Sequence, residues 1–271
     1  MKRIAITLLF VFGFVLVWAQ NKETRTVDNF TKIAFRIPGK MYLRQGNEQK
    51  VVLEGDKEIL DKIETEVSGG RLSISRENNN WRMWDWDDDK RIIAYVTVKT
   101  LEGLSVSGSG NVLGEGVLKA GDLYLAVSGS GSMEIEVNAS GNMEADVSGS
   151  GDIRVKGTCR SLESKVSGSG KVVLAGTITD RANVHVSGSG KIIASGRARE
   201  IRTTISGSGE VQAADLEVER CEVRISGSGD VEINVKQAID ATISGSGSVS
   251  YRGNPSQINS HSSGSGKVRK M

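Results

Sequence analysis

The chain is poor in several things that would each point to a function. It has two prolines, Pro38 and Pro255, against thirty-three glycines, which with regular apolar columns argues for tight β-turns and against disorder. Two cysteines, Cys159 and Cys221, cannot build a disulfide framework. The two histidines, His185 and His261, are too few for a histidine-based metal cluster. Thirty-five basic residues nearly balance thirty-three acidic ones, for a net charge of +2, so there is no nucleic-acid signature. No Gly-x-Ser-x-Gly elbow, His-Glu-x-x-His pair, P-loop or Gly-Gly-x-Gly-x-Asp calcium repeat occurs.

What is present is a repeat. Ser-Gly-Ser-Gly begins at Ser107, Ser128, Ser148, Ser167, Ser187, Ser206, Ser226, Ser244 and Ser263, with spacings of 18 to 21 residues. A fixed period near twenty marks a solenoid or array. Counting the first serine as position 0, position −1 reads Val106, Val127, Val147, Val166, Val186, Ile205, Ile225 and Ile243, broken by Ser262, and position +5 runs from Val112 and Met133 to Val268. Positions −5 and +7 are also mostly apolar. All four are odd, the period-two pattern of strands with one buried face.

That parity places both corner glycines of each repeat inward and both serines outward. The corner residues are Gly108 and Gly110, Gly129 and Gly131, Gly149 and Gly151, Gly168 and Gly170, Gly188 and Gly190, Gly207 and Gly209, Gly227 and Gly229, Gly245 and Gly247, and Gly264 and Gly266. Each repeat reads as one coil: a strand, the Ser-Gly-Ser-Gly corner, a second strand and a looser turn that Gly157, Gly176, Gly196 and Gly253 mark at position +9. Like residues stack on like in a parallel solenoid, so the repeats resemble one another. The corners lack the Asn-Gly and Asp-Gly signals of an antiparallel meander. The expected fold is all-β, a parallel β-solenoid with coils of about 20 residues.

Residues 1–19 have the form of a signal peptide: Lys2 and Arg3, then an apolar run from Ile4 to Val17, then Val17-Trp18-Ala19 before a cleavage site. The run is short for a membrane span, and no span is expected after cleavage. The chain is therefore expected to be exported to the periplasm, the outer-membrane surface or the exterior. Residues 20–105 read as an irregular start and cap of the same stack, continuous with the regular repeats of 106–271. Asp56 is positioned to cap a helical turn through Ile59, Leu60 and Ile63, and Val67-Ser68-Gly69-Gly70-Arg71-Leu72 resembles a corner, two periods before Ser107. At the far end, Lys267, Arg269 and Lys270 would discourage edge-to-edge growth.

One stretch breaks the pattern. Asn78 to Asp89 holds Trp81, Trp84 and Trp86 interleaved with acid. Its indoles suit contact with a sugar or a protein partner, or they pack over the end of the stack. The aspartates do not follow an EF-hand spacing. Charge along the outward columns alternates, as at Asp152, Lys171 and Lys191, which reads as a solvated face and only weakly as a catalytic ladder. Cys159 and Cys221 fall in inward columns about three coils apart, roughly 14 Å, and are expected to be buried free thiols. His185 and His261 share an outward column four coils apart.

The serial Val-Ser-Gly-Ser-Gly corners, preceded by an irregular segment from Phe30-Thr-Lys-Ile33 to Leu101-Glu-Gly-Leu104-Ser-Val-Ser-Gly, resemble the Bacteroidetes family called "putative auto-transporter adhesin, head GIN domain". The resemblance covers nearly all of the expected mature chain. It implies a right-handed parallel β-helix similar in shape to pectate-lyase-like folds but without their catalytic residues, and a role in adhesion. The chain departs from a true auto-transporter in that no recognisable outer-membrane translocator is read in these residues. The expected function is a non-catalytic adhesin-like module that needs no cofactor and binds a glycan or a surface protein. A self-associating homo-oligomeric envelope component and a β-helix polysaccharide enzyme are the alternatives.

Overall fold

The computed structural model describes residues 21–77 and 92–271. The expected signal peptide, and the segment carrying Trp81, Trp84 and Trp86, lie outside the described residues. In chain order the irregular part holds β1 (Asn21–Arg25), β2 (Lys32–Phe35), β3 (Lys40–Gln45), β4 (Lys50–Gly55), α1 (Lys57–Leu60), β5 (Ile63–Ser68), β6 (Arg71–Arg76) and β7 (Ile93–Val98). The regular part follows with β8 (Gly103–Gly108), β9 (Asn111–Ala120), β10 (Leu123–Gly129), β11 (Ser132–Ala139), β12 (Asn142–Gly149), β13 (Asp152–Cys159) and β14 (Ser161–Gly168). It continues with β15 (Lys171–Gly188), β16 (Lys191–Gly207), β17 (Glu210–Gly227), β18 (Asp230–Gly245), β19 (Ser248–Arg252), β20 (Gln257–Gly264) and β21 (Lys267–Lys270).

The repeats stack in parallel and in register, as a β-solenoid. Ser128 of β10 lies beside Ser107 of β8 and Ser148 of β12, and the same column continues through Ser167, Ser187, Ser206, Ser226 and Ser244 to Ser263. Inter-coil hydrogen bonding persists around the corner: the Gly108 carbonyl accepts from Ser130 N at 2.9 Å and from Gly131 N at 2.8 Å. The expected parity holds in the core, where Val106, Val127, Ile205, Ile225, Val112, Met133, Val211 and Val231 are buried. Position −3 is a further core column. It includes Leu125, Val184 and Val223 and also two fully buried polar residues, Ser164 and Thr203. The Ser164 hydroxyl donates to the Ala145 carbonyl at 3.2 Å, whereas Thr203 Oγ1 is buried without a hydrogen-bond partner.

The two glycines of a corner differ in role, which corrects the expectation that both face inward. Those at +3, such as Gly131 and Gly209, are buried, and a Cβ at Gly131 would meet Val106 Cγ1 at 2.7 Å. Those at +1, such as Gly129, are partly exposed with a φ of +108°. There a Cβ would point along the solenoid axis, 2.7 Å from the Gly108 carbonyl oxygen of the preceding coil. Position +3 is glycine because a Cβ would strike both the core and the preceding coil, 2.5 Å from the Gly110 carbonyl oxygen in the case of Gly131. Position +1 is glycine because the backbone conformation and the stacking distance both require it.

The irregular part departs from the expected simple stack. β2 lies between β6 and β8, and β3 between β7 and β9, so the later β6–β7 coil sits outside the earlier β2–β3 coil. β5 pairs with β6, β4 with β7 and β1 with β4, all antiparallel. The Ser68-Gly69-Gly70-Arg71 phrase is therefore a hairpin turn and not a coil corner: Ser68 pairs with Arg71 across it. Its adjacent glycines have φ of +57° and +72°. Two successive left-handed residues reverse the chain in a two-residue turn, whereas a single positive-φ glycine followed by serine only bends it. The corner equivalent in the β2–β3 coil is Arg36-Ile37-Pro38-Gly39, since Phe35 aligns with Val106 and Lys40 with Asn111. Asp56 caps α1 as expected, its side chain accepting from Glu58 N at 2.9 Å. The helix ends at Leu60, and Ile63 opens β5.

Candidate functional site

The flanks of the tryptophan-bearing segment define where it joins the scaffold. Ile74 aligns with Phe35, and Ile93 with Lys40. The β2–β3 coil makes this corner with residues 36–39, whereas the β6–β7 coil spans it with residues 75–92. The segment with Trp81, Trp84 and Trp86 thus links two strands whose neighbours, β2 and β3, are linked by only four residues. On its flanks the Glu77 N–H donates to the Lys62 carbonyl at 3.0 Å, and the Ile92 carbonyl accepts from Lys40 N at 3.0 Å.

The outward columns carry the charge. Asp152, Lys171, Lys191 and Glu210 succeed one another on adjacent coils. Lys171 Nζ lies 3.6 Å from Asp152 Oδ2, and Lys191 Nζ lies 2.7 Å from Glu210 Oε2. These partly exposed pairs neutralise one another across rungs, as a solvated face does. His185 and His261 share one outward column with Thr204, Arg224 and Thr242 between them. Among the described residues no group of three or more His, Cys, Asp or Glu side chains is arranged to hold a metal ion.

A denser cluster lies on the face of β12 and β14, where Lys165 Nζ lies 2.6 Å from Glu163 Oε1 and 3.3 Å from Glu144 Oε1. Burial pushes the neighbouring Asp146 carboxyl up to about 6, with Glu144 adding repulsion. Its Oδ1 is buried without a hydrogen-bond partner. Cys159 and Cys221 are both buried and free, in the two inward columns expected. Burial pushes the Cys159 thiol up to about 11 and the Cys221 thiol up to about 12, which leaves both inert as nucleophiles.

Paired charges on β15 to β18 wall a groove of about 500 Å³. Arg181, Glu200 and Arg220 lie on successive coils, as do Arg202, Glu222 and Asp240. The sequence shows these residues only as a mixed outward face. What signals them is the column alignment, which sets Glu200 between Arg181 and Arg220 and sets Glu222 beside Arg202.

A family model described as "Putative auto-transporter adhesin, head GIN domain" matches residues 29–194 and 177–255. The chain belongs to this family. Solved structures of similar shape include three from Parabacteroides species. One, from Parabacteroides distasonis, is described as a "putative lipid binding protein"; it has a TM-score of 0.70 at 23% identity, over 94% of this chain and 98% of that one. A "putative adhesin" from Parabacteroides merdae gives 0.70 at 19% identity, over 94% and 97%. A second "putative adhesin" from Parabacteroides distasonis gives 0.69 at 18% identity, over 93% and 97%. At such identities the likeness supports the fold alone. No curated protein matches the chain. The match covers both the irregular first part and the corner repeats.

Proposed function

We propose that this head GIN domain protein is a non-catalytic, adhesin-like module, exported to the cell envelope or beyond, that binds a glycan or a protein through the segment bearing Trp81, Trp84 and Trp86. The observation that carries this reading is the register of β6 and β7. The connection from β6 to β7, which carries every tryptophan of the expected mature chain, is far longer than the four residues that link β2 to β3. Tryptophan concentrated at such a place suits recognition, because a large rigid surface is gained at low entropic cost. The adhesin-type family supports a secreted or surface location.

The test is binding on a glycan array and in a pull-down from envelope extracts, before and after Trp81, Trp84 and Trp86 are replaced together by alanine. Binding should fall at least tenfold, and unchanged binding removes the segment from the account. Protease accessibility on intact cells tests exposure at the surface, and a protein protected inside the periplasm would overturn the adhesin role. A lipid-binding role, the description of one structural neighbour, has less support here. The apolar cavity lined by Met143, Leu162, Leu174 and Leu216 has only about 20 Å³, room for about one water and not for an acyl chain. Self-association remains the second reading, since β20 is exposed along its whole length with Ile258 44% accessible. Light scattering that shows a strict monomer at high concentration would exclude it.

A further inference from the structure

The groove on β15 to β18 is built as a row of oriented guanidinium groups. On one wall Glu200 Oε2 accepts from Arg181 Nε at 3.2 Å and Nη2 at 2.9 Å, and its Oε1 accepts from Arg220 Nε at 2.9 Å and from Nη2 of the same group. On the other wall Glu222 Oε2 accepts from Arg202 Nε at 2.7 Å, and its Oε1 lies 2.7 Å from Arg224 Nη2. Each glutamate is thus clamped by two arginines, and the Glu200 carboxyl is held below the usual range by its hydrogen bonds to Arg220 and Arg181.

The clamps orient the arginines without exhausting them. A guanidinium has five N–H donors, and each of these four spends at most two on its glutamate. Four guanidinium groups face three carboxylates, those of Glu200, Glu222 and Asp240, so the lining has a net charge of +1. Arg181 and Arg220 stand two coils apart, about 10 Å at the interstrand spacing, so cationic groups recur along the groove. Ile201, Cys221 and Ile239, which border it, are buried, whereas Ala238 is partly exposed in its lining. Asp240, Gln257 and Asn259 supply mixed donors and acceptors.

We propose that this groove binds an anionic oligosaccharide. Its carboxylate or sulfate groups take the unspent N–H donors of Arg202, Arg224, Arg181 and Arg220, and its hydroxyls take Asp240, Gln257 and Asn259. Arginine suits such planar, charge-assisted pairing. An extended sugar chain fits a shallow polar groove with repeating cations. An acidic peptide offers carboxylates but few hydroxyls for Asp240, Gln257 and Asn259, so it fits less well than a sugar chain. The site is built on β15 to β20, whereas the tryptophan-bearing segment links β6 to β7, so it stands or falls independently of that segment.

The experiment is calorimetric titration of the full chain with four probes: oligogalacturonate for the carboxylate arm, heparin-derived oligosaccharide for the sulfate arm, neutral dextran oligomers, and a poly-glutamate peptide. One or both acidic sugars should bind, and the tighter arm identifies the anion. The double variant Arg202→Gln with Arg224→Gln should weaken that binding at least tenfold. The double variant Arg197→Gln with Arg199→Gln makes the same charge change outside the groove and should bind within about twofold of the parent. Circular dichroism should show all variants folded, because exposed ion pairs contribute little to stability. Replacing Trp81, Trp84 and Trp86 should leave acidic-sugar binding intact; loss there would overturn the groove and favour the tryptophan segment. No binding of either acidic sugar, equal binding of dextran or of poly-glutamate, or equal weakening by the Arg197/Arg199 control would also overturn the proposal.

Discussion

Replacing Gly196 by alanine tests whether the stacking of the coils depends on the glycines at position +9. Gly196 has a φ of +109°, and a Cβ there would lie 1.9 Å from the Gly176 carbonyl oxygen and 2.8 Å from its carbonyl carbon. The obstacle is backbone of the adjacent coil, which no rotamer change relieves. Backbone strain at such an angle costs about 1–3 kcal/mol, and forcing the carbonyl aside adds about 1–3 kcal/mol, for a total of about 2–6 kcal/mol. Gly116 is the internal control. It also stands nine residues after its corner serine and has a φ of +77°, but nothing lies within 4 Å of an added Cβ. It falls in the irregular stretch where the register of β9 against β11 shifts. Gly116→Ala should therefore cost only the left-handed penalty, about 1–2 kcal/mol. Urea unfolding followed by far-ultraviolet circular dichroism compares the two through their midpoints at equal slope. Equal losses would refute the argument that close approach between coils, and not conformation alone, selects glycine.

Thr203→Val should stabilise the fold by about 1–2 kcal/mol, because it removes a buried hydroxyl with no partner and continues a column with Val184 and Val223 on either side; a higher urea midpoint checks it, and a loss would mean the hydroxyl has a partner. Both thiols should resist Ellman's reagent at pH 8 in the native protein and react together in denaturant, since burial raises them to about 11 and about 12; rapid native labelling would contradict their burial. Asp146→Asn should stabilise the protein at pH 7. The folded carboxyl, pushed up to about 6, binds its proton more tightly than the unfolded one, so the parent gains stability as pH falls from about 6 to about 4. The advantage of the variant should vanish over that window, and a pH-independent difference would rule out titration of Asp146 as its source.

The regular coils were legible because the information is local and repeated. Val at −1, serine at 0 and glycine at +1 and +3 recur in one order, and a parity argument needs no knowledge of distant contacts. The same method failed at Ser68, where the loss of one serine set Gly69 beside Gly70 and turned the chain back on itself. It also treated the two corner glycines alike, because parity describes the face of a strand and not the left-handed residue at its end. The groove was invisible for another reason. Glu200 lies nineteen residues from Arg181 and twenty from Arg220, and only the register of three coils shows that one carboxylate serves both.

The sequence by itself determined a parallel stack with glycine corners, an apolar interior and outward serines, since a period of about twenty with fixed parity has one dry way to stack. Only the tertiary structure decided that β6–β7 lies outside β2–β3, that antiparallel β5, β4 and β1 flank that coil, and that four arginines line one groove. Those outcomes depend on which edges pair across long separations. Pairing of that kind is fixed by the whole fold's burial and backbone hydrogen bonding, not by any short run of residues.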